Sequence, residues 1–174
     1  VDNAIMATGS VTGIVSLWNV NDGKSRHSVN AHNTAVTSLL FDSEGKSLFT
    51  AGEDGTVKRW RLPLQKTRSI AAQDVPVSDV ALSPNGQIVA TASDDGSIRL
   101  WNPVNDAVIR ELKAHAGPVH QLAWHPSGGQ IASAGEDHIV RVWNVADGSV
   151  AGELKGHDGP VRSVVFSHDG MQLA

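Results

Sequence analysis

The sequence predicts an all-β fold, a β-propeller built of four-stranded antiparallel units of which the chain carries a partial ring or arc. Three observations predict it. Trp18, Trp60, Trp101 and Trp143 follow one another at 42, 41 and 42 residues, a period that points to a repeated supersecondary unit. The register extends beyond tryptophan: a hydroxyl residue stands ten positions before each (Thr8, Thr50, Thr91, Ser133), and an aspartate stands six before the last three (Asp54, Asp95, Asp137). Glycines and prolines punctuate short segments along the whole chain, and no stretch carries a helical period. Four-stranded units that cannot bury their own faces are satisfied by radial stacking.

Taken in order, the first repeat (about 1–30) is partial and starts near a second strand. The second (31–72) reads as four strands at 35–41 (AVTSLLF), 47–51 (SLFTA), 56–60 (TVKRW) and 66–70 (KTRSI). The third (73–113) and fourth (114–155) repeat that plan, and the last (156–174) is again partial. Turn residues separate the strands: Ser43-Glu44-Gly45, Pro84-Asn85-Gly86, Ser127-Gly128-Gly129 and Asp169-Gly170 in the first turn, Asp54-Gly55 and Asp95-Gly96 in the next. The chain begins at Val1 without an initiating methionine and stops at Ala174 inside a repeat, which reads as a piece of a larger ring. Residues 161–166 lie where the inner strand missing from the first repeat would be, but the overlap of 1–7 with 168–174 argues against deliberate closure. An isolated arc exposes terminal blade faces, so self-association is expected.

The composition excludes several function classes. Hydrophobic content of 40% with 18% charged residues suits a folded, soluble domain. A net charge of −4 with no block of lysine and arginine gives no electrostatic footprint for nucleic acid. No apolar run has the length of a membrane span, and VDNAIMATGS lacks the features of a signal peptide. The compartment stays open, cytoplasmic by default with export not excluded. Absence of cysteine removes disulfides, thiolate catalysis and cysteine-ligated zinc.

The segment AHAGPVHQLAWHPSGGQIASAGEDHIVRVWN, with GHDGPVRSVVFSHDG, SDDGSIRLWN and GEDGTVKRWR, resembles the WD40-repeat family over essentially the whole chain. One departure is consistent: Asn19, Arg61, Asn102 and Asn144 replace the aspartate that often follows the tryptophan. The resemblance implies WD40-like blades, each with a buried hydrogen-bond network of histidine, hydroxyl, aspartate and tryptophan. It places that network on His32, Thr50, Asp54 and Trp60, and again on His115, Ser133, Asp137 and Trp143. In the third unit Gln73 replaces histidine beside Thr91, Asp95 and Trp101, so that blade is expected to be weaker. In the first, Thr12 takes the aspartate position and only Thr8 and Trp18 remain; His157 opens the last copy.

A hydroxyl, a histidine and an aspartate also spell a nucleophilic triad, but a cluster that recurs at blade period beneath a tryptophan reads as architecture and not as one exposed nucleophile. No catalytic residue is assigned. Of the eight histidines, His115, His120 and His125 are evenly spaced, but His120 and His125 point to opposite faces of an extended strand, so no metal ligand is assigned. No GxGxxG or GxxxxGK[ST] loop is present, and no cofactor is expected. Trp124, in register with Phe41, Leu82 and Phe166, reads as core packing.

With the blade interiors structural, function falls to loops at the blade ends. Three sets vary between repeats: Glu53, Asp94 and Glu136 before the tight turns; Asn33, Asp74, Ala116 and Asp158 after the histidine position; Thr37, Ser78, His120 and Arg162 at the start of the innermost strand. The resemblance puts them on the top face, where the family engages peptides or protein loops. Their acidic bias points to a basic or hydrogen-bond-donating partner, though His120 and Arg162 make the surface mixed. Lys24, Lys66, Arg110 and Lys155 read as charge that protects outer strand edges. The function expected is that of a non-catalytic protein-interaction scaffold; the alternative is a targeting or regulatory module of a larger enzyme.

Overall fold

The computed structural model describes residues 4–174, apart from the side chains of residues 66–68 and 70–72. The edge-protecting role read for Lys66, and residues 1–3 of the terminal overlap, therefore lie outside the described residues. Two compact units divide the chain, Val1–Val77 and Ser78–Ala174, and every described element is a strand or a connection between strands.

The first unit holds two sheets. β1 (Ile5–Gly9), β2 (Ile14–Asn19) and β3 (Ser25–Asn30) form an antiparallel meander, and β4 (Val36–Phe41), β5 (Ser47–Gly52), β6 (Thr56–Arg61) and β7 (Gln65–Ala72) form another. The core follows from two-residue alternation: Val15 and Leu17 of β2 turn inward while Ser16 between them hydrogen-bonds Ser28 across to β3 at 2.8 Å. Val15 and Leu17 pack with Ala31, Leu48, Trp60 and Leu64, flanked by Ile5, Val36 and Phe41.

In the second sequence half, β8 (Val77–Leu82), β9 (Val89–Ser93), β10 (Ser97–Trp101) and β11 (Val108–Lys113) form a third sheet; β12 (Val119–Trp124), β13 (Gln130–Gly135), β14 (Val140–Asn144) and β15 (Val150–Leu154) form a fourth. The second unit's main core joins the last two: Ile98, Leu100, Leu112, Val119, Leu122, Ile131 and Trp143 are buried together, with Trp124 packed against them. Second strands are the most enclosed elements. All six residues of β5 and all five of β9 are buried, which is why they read as near-continuous small and apolar runs.

The strands of the second repeat fall within two residues of the expected ones. The expected inner strand at 161–166 does not form as a continuous strand; among the described residues there, Phe166 bridges Leu173, Val165 and Ala174 exchange backbone hydrogen bonds at 2.9 and 3.0 Å, and the Val161 N–H donates to the Gly135 carbonyl at 3.1 Å. Val161 and Val164 bury against Ala132, Ala134 and Val140, and the Val164 N–H donates to the Gln121 side chain at 2.8 Å. Side-chain capture and apolar burial add to that partial backbone pairing. Arg110 is no edge guard: its guanidinium donates to the carbonyls of Asp147 and Ala146 at 2.8 and 3.1 Å, gripping the β14–β15 turn.

Candidate functional site

The periodic polar residues assemble beneath the tryptophans. In the second blade the Trp60 indole N–H donates to Thr50 Oγ1 at 3.0 Å, the Thr50 hydroxyl lies 2.7 Å from His32 Nε2, and His32 Nδ1 lies 2.9 Å from Asp54 Oδ1. The fourth blade repeats this with Trp143, Ser133, His115 and Asp137 at 3.0, 2.8 and 2.7 Å. One proton arrangement satisfies every group: indole to hydroxyl, hydroxyl to Nε2, and Nδ1–H to carboxylate.

Two features of these networks went unread in the sequence. Gly52 and Gly135 end the second strands where the imidazole lies; a Cβ there would come within 2.5 Å of His32 Nδ1 and 2.2 Å of His115 Nδ1. Glycine is required because the ring occupies that space. Four residues after each aspartate stands a cation. Lys58 reaches the Ala31 carbonyl and lies 3.8 Å from Asp54, Arg99 donates to Asp95 at 2.8 Å, and Arg141 donates to Asp137 at 2.7 Å and to Glu153 at 2.8 Å. The aspartate-to-cation spacing was present in the sequence all along.

Electrostatics follow from this packing. Burial works to raise the Asp54 carboxyl, but hydrogen bonds from Thr56, His32 and the Asn33 N–H outweigh it and hold the group well below the usual carboxylate range. Burial is likewise overcome at Asp137 by Arg141 and His115. His32 and His115 move down from the ordinary imidazole value because burial outweighs the pull of Asp54 and Asp137. Thr50 and Ser133 are fully buried, so neither hydroxyl can meet a substrate. Among the described residues no group of histidine and carboxylate side chains is arranged to hold a metal ion.

The incomplete copies behave differently. Trp18 donates to Thr8 at 2.8 Å, and Thr12 hydrogen-bonds only Ser10 nearby. Trp101 donates to Thr91 at 3.1 Å, and Asp95 is held by Ser97 and Arg99. Gln73 lies in the first unit, where its N–H donates to the Gly55 carbonyl. His157 is exposed; one period past Ser133 and Asp137 lies beyond Ala174.

Most of the variable positions are exposed. Asn33, Thr37, Glu53, Asp74, Asp94, Ala116, Asp158 and Arg162 are exposed, and Ser78, His120 and Glu136 are half-buried. Register shifts at the starts of β4 and β12 leave Thr37 and His120 without a cross-strand partner, and such irregularities re-aim side chains. Thr37 donates to the Val77 carbonyl at 2.6 Å; His120 turns to Glu136 at 2.7 Å and to Arg162 at 2.9 Å. Ser78 donates to Asp94 at 2.8 Å. Two side chains absent from the sequence reading steady this row: Asp79 accepts from the Leu122 N–H at 2.9 Å, and Gln121 accepts from the Val164 N–H. Each joins residues 43 apart, one period plus one, a spacing that no local pattern displays.

Comparison with known proteins adds family information. The family model for the WD domain, G-beta repeat, matches residues 23–61, 64–102, 107–144 and 148–174. The chain is 42% identical over 59 residues to DDB1- and CUL4-associated factor 13 of Dictyostelium discoideum, covering 34% of this chain and 13% of that protein. Over 59 residues it is 39% identical to periodic tryptophan protein 2 of Arabidopsis thaliana, covering 34% and 7%. Over 70 residues it is 34% identical to human apoptotic protease-activating factor 1, covering 36% and 5%. The chain thus spans a small part of the length of each relative.

Proposed function

The chain belongs to the WD40 family of WD-domain, G-beta repeats, and from that premise we propose that it is a non-catalytic scaffold that holds a peptide or protein loop on the exposed ends of its blades. One observation carries the reading: the histidine, hydroxyl and tryptophan side chains that recur in the second and fourth blades are buried and hydrogen-bonded to one another, while residues that change from blade to blade are exposed or half-buried at the strand ends. A surface that varies over an invariant frame is where selectivity can be set without loss of fold. The family match fits a protein-interaction module. Among the described residues no helix is long and apolar enough to cross a membrane.

A second reading is a targeting or regulatory module of a larger enzyme whose catalytic domain lies outside these residues. Both readings use the same surface. The test compares proteins retained by the chain with those retained by a Glu53→Ala/Asp94→Ala/Glu136→Ala variant and by an Asn21→Ala/Asn105→Ala/Asp147→Ala variant of the opposite blade ends. Selective loss from the first variant supports the proposal. Equal retention by all three, or selective loss from the second, overturns it.

A further inference from the structure

The exposed row on the second unit has an electrical polarity. Ser78 is the second residue of the inner strand β8, His120 the second of β12, and Arg162 lies in the segment that follows β15. Asp79 bonded to the Leu122 N–H and Gln121 bonded to the Val164 N–H hold these three side by side, with β12 in the middle. At one end, Asp94 is exposed and Ser78 is its only partner among the described residues, so no cation neutralises it. In the middle, His120 Nε2 lies 2.7 Å from the Glu136 carboxylate, and Arg162 Nη1 lies 2.9 Å from Nε2 and 3.2 Å from Nδ1, against the imidazole.

At the other end, the Arg162 side chain is 67% exposed and its Nη2 stands 3.6 Å from Glu136, too far for a two-point pairing. With the side chain this exposed, the guanidinium has capacity for a second carboxylate. The Glu136–Arg162 pair is long and exposed, so among the described residues the row carries an unpaired carboxylate at Asp94, Glu136 bonded to His120 at its centre and an exposed guanidinium at Arg162.

Resting on the scaffold reading above, we infer that this row selects a peptide segment carrying both charges, a lysine or arginine side chain that docks on Asp94 and an aspartate or glutamate side chain that docks on Arg162. A polybasic segment fits poorly, because its second cation would meet Arg162. A purely acidic one meets Asp94. The polarity also fixes the direction in which the segment lies across the blades, since reversal places like charges together.

The probe is a random twelve-residue peptide library displayed on phage, selected against the whole chain, Asp94→Asn and Arg162→Gln, each variant first shown to keep the wild-type circular dichroism. Peptides from the wild-type selection are expected to pair one basic with one acidic residue in a constant order. Asp94→Asn should lose the basic preference and Arg162→Gln the acidic one. Each should bind wild-type-selected peptides about three- to tenfold more weakly, the scale of an exposed charge contact. Peptides that enrich with the same charge content against all three proteins overturn this inference and leave the scaffold reading standing. Failure of any peptide to enrich counts against both.

Discussion

The sheets β1–β3 and β12–β15 share one hydrogen bond, from the tryptophan indole to a hydroxyl ten residues earlier, and differ in everything attached to it. In β12–β15 the hydroxyl passes the chain on to His115, Asp137 and Arg141, and Trp143 is buried. In β1–β3 Thr12 stands in the aspartate position and Ser16 in the cation position, Trp18 is only half-buried, and Ser16 bonds Ser28 instead. The charged partners disappear together. An aspartate without its cation, or a buried arginine without its carboxylate, costs more than either polar replacement. The comparison teaches that the aspartate and its cation go together: both stand in the sheets with His32 and His115, both stay where Gln73 replaces histidine, and both are missing from β1–β3.

The largest effect should come from breaking the whole network at its charged centre. Asp137→Ala leaves buried His115 and Arg141 without their shared acceptor, and a loss of about 3–5 kcal/mol is expected, read as a shift in the denaturation midpoint. Gly135→Ala attacks the same network without removing any polar group. Its new Cβ would stand 2.2 Å from His115 Nδ1, which forces the ring away, with about 2–3 kcal/mol lost. Gly23→Ala sits in open space at a turn, and even with its left-handed backbone should cost only about 1 kcal/mol. An equal loss from Gly135→Ala and Gly23→Ala would remove the argument that the imidazole demands glycine.

A pH titration sharpens the comparison next. His32 and His115 are depressed below the ordinary 6.5, so their contribution is complete above that value. It is lost as pH falls through 6.5 toward the folded value, because the unfolded chain takes up protons that the folded chain refuses. Asp54 and Asp137 are depressed below 3.8 and add a second loss beneath it, by the same sign. Stability should therefore fall in two acid steps, the first tracking the imidazole resonances of His32 and His115. The Thr8–Trp18 pair contains no group that titrates in that range. A double variant His32→Gln/His115→Gln that keeps the first step would show that other groups produce it.

Much of this architecture was legible because it is written locally. Tryptophan period, hydroxyl and aspartate offsets and turn glycines marked the strands of the second repeat to within two residues, and the family resemblance brought His32, Thr50, Asp54 and Trp60 together. What escaped falls into two kinds. Gly52 and Gly135 were visible as a pattern: the repeats with His32 and His115 carry glycine at that position, whereas the repeat with Gln73 carries Ser93. The cations Lys58, Arg99 and Arg141 were visible too, at a fixed offset from aspartate. Asp79, Gln121 and Arg110 were not, since each acts on the backbone of the following repeat. Their partners are defined only once blades are stacked. The segment 161–166 has a strand's alternation but only partial pairing, at its end, because strand formation needs a neighbour as well as a pattern.

The smallest effect belongs to the reduced blade. Thr8→Ala removes the acceptor of the Trp18 indole and nothing else that is described. Trp18 is half-buried, so water can replace part of what the hydroxyl supplied, and a cost of about 0.5–1.5 kcal/mol is expected. Ser133→Ala, the same change in the complete blade, strands both the Trp143 indole and His115 Nε2 inside the protein and should cost about twice as much. Amide exchange separates the two: Thr8→Ala should loosen β1 and β2 alone, while Ser133→Ala should loosen β12 to β15 together. Equal costs with equally local loosening would mean that the histidine, aspartate and arginine add nothing cooperative to the tryptophan–hydroxyl pair, and the difference between the two sheets would be one of composition without consequence for stability.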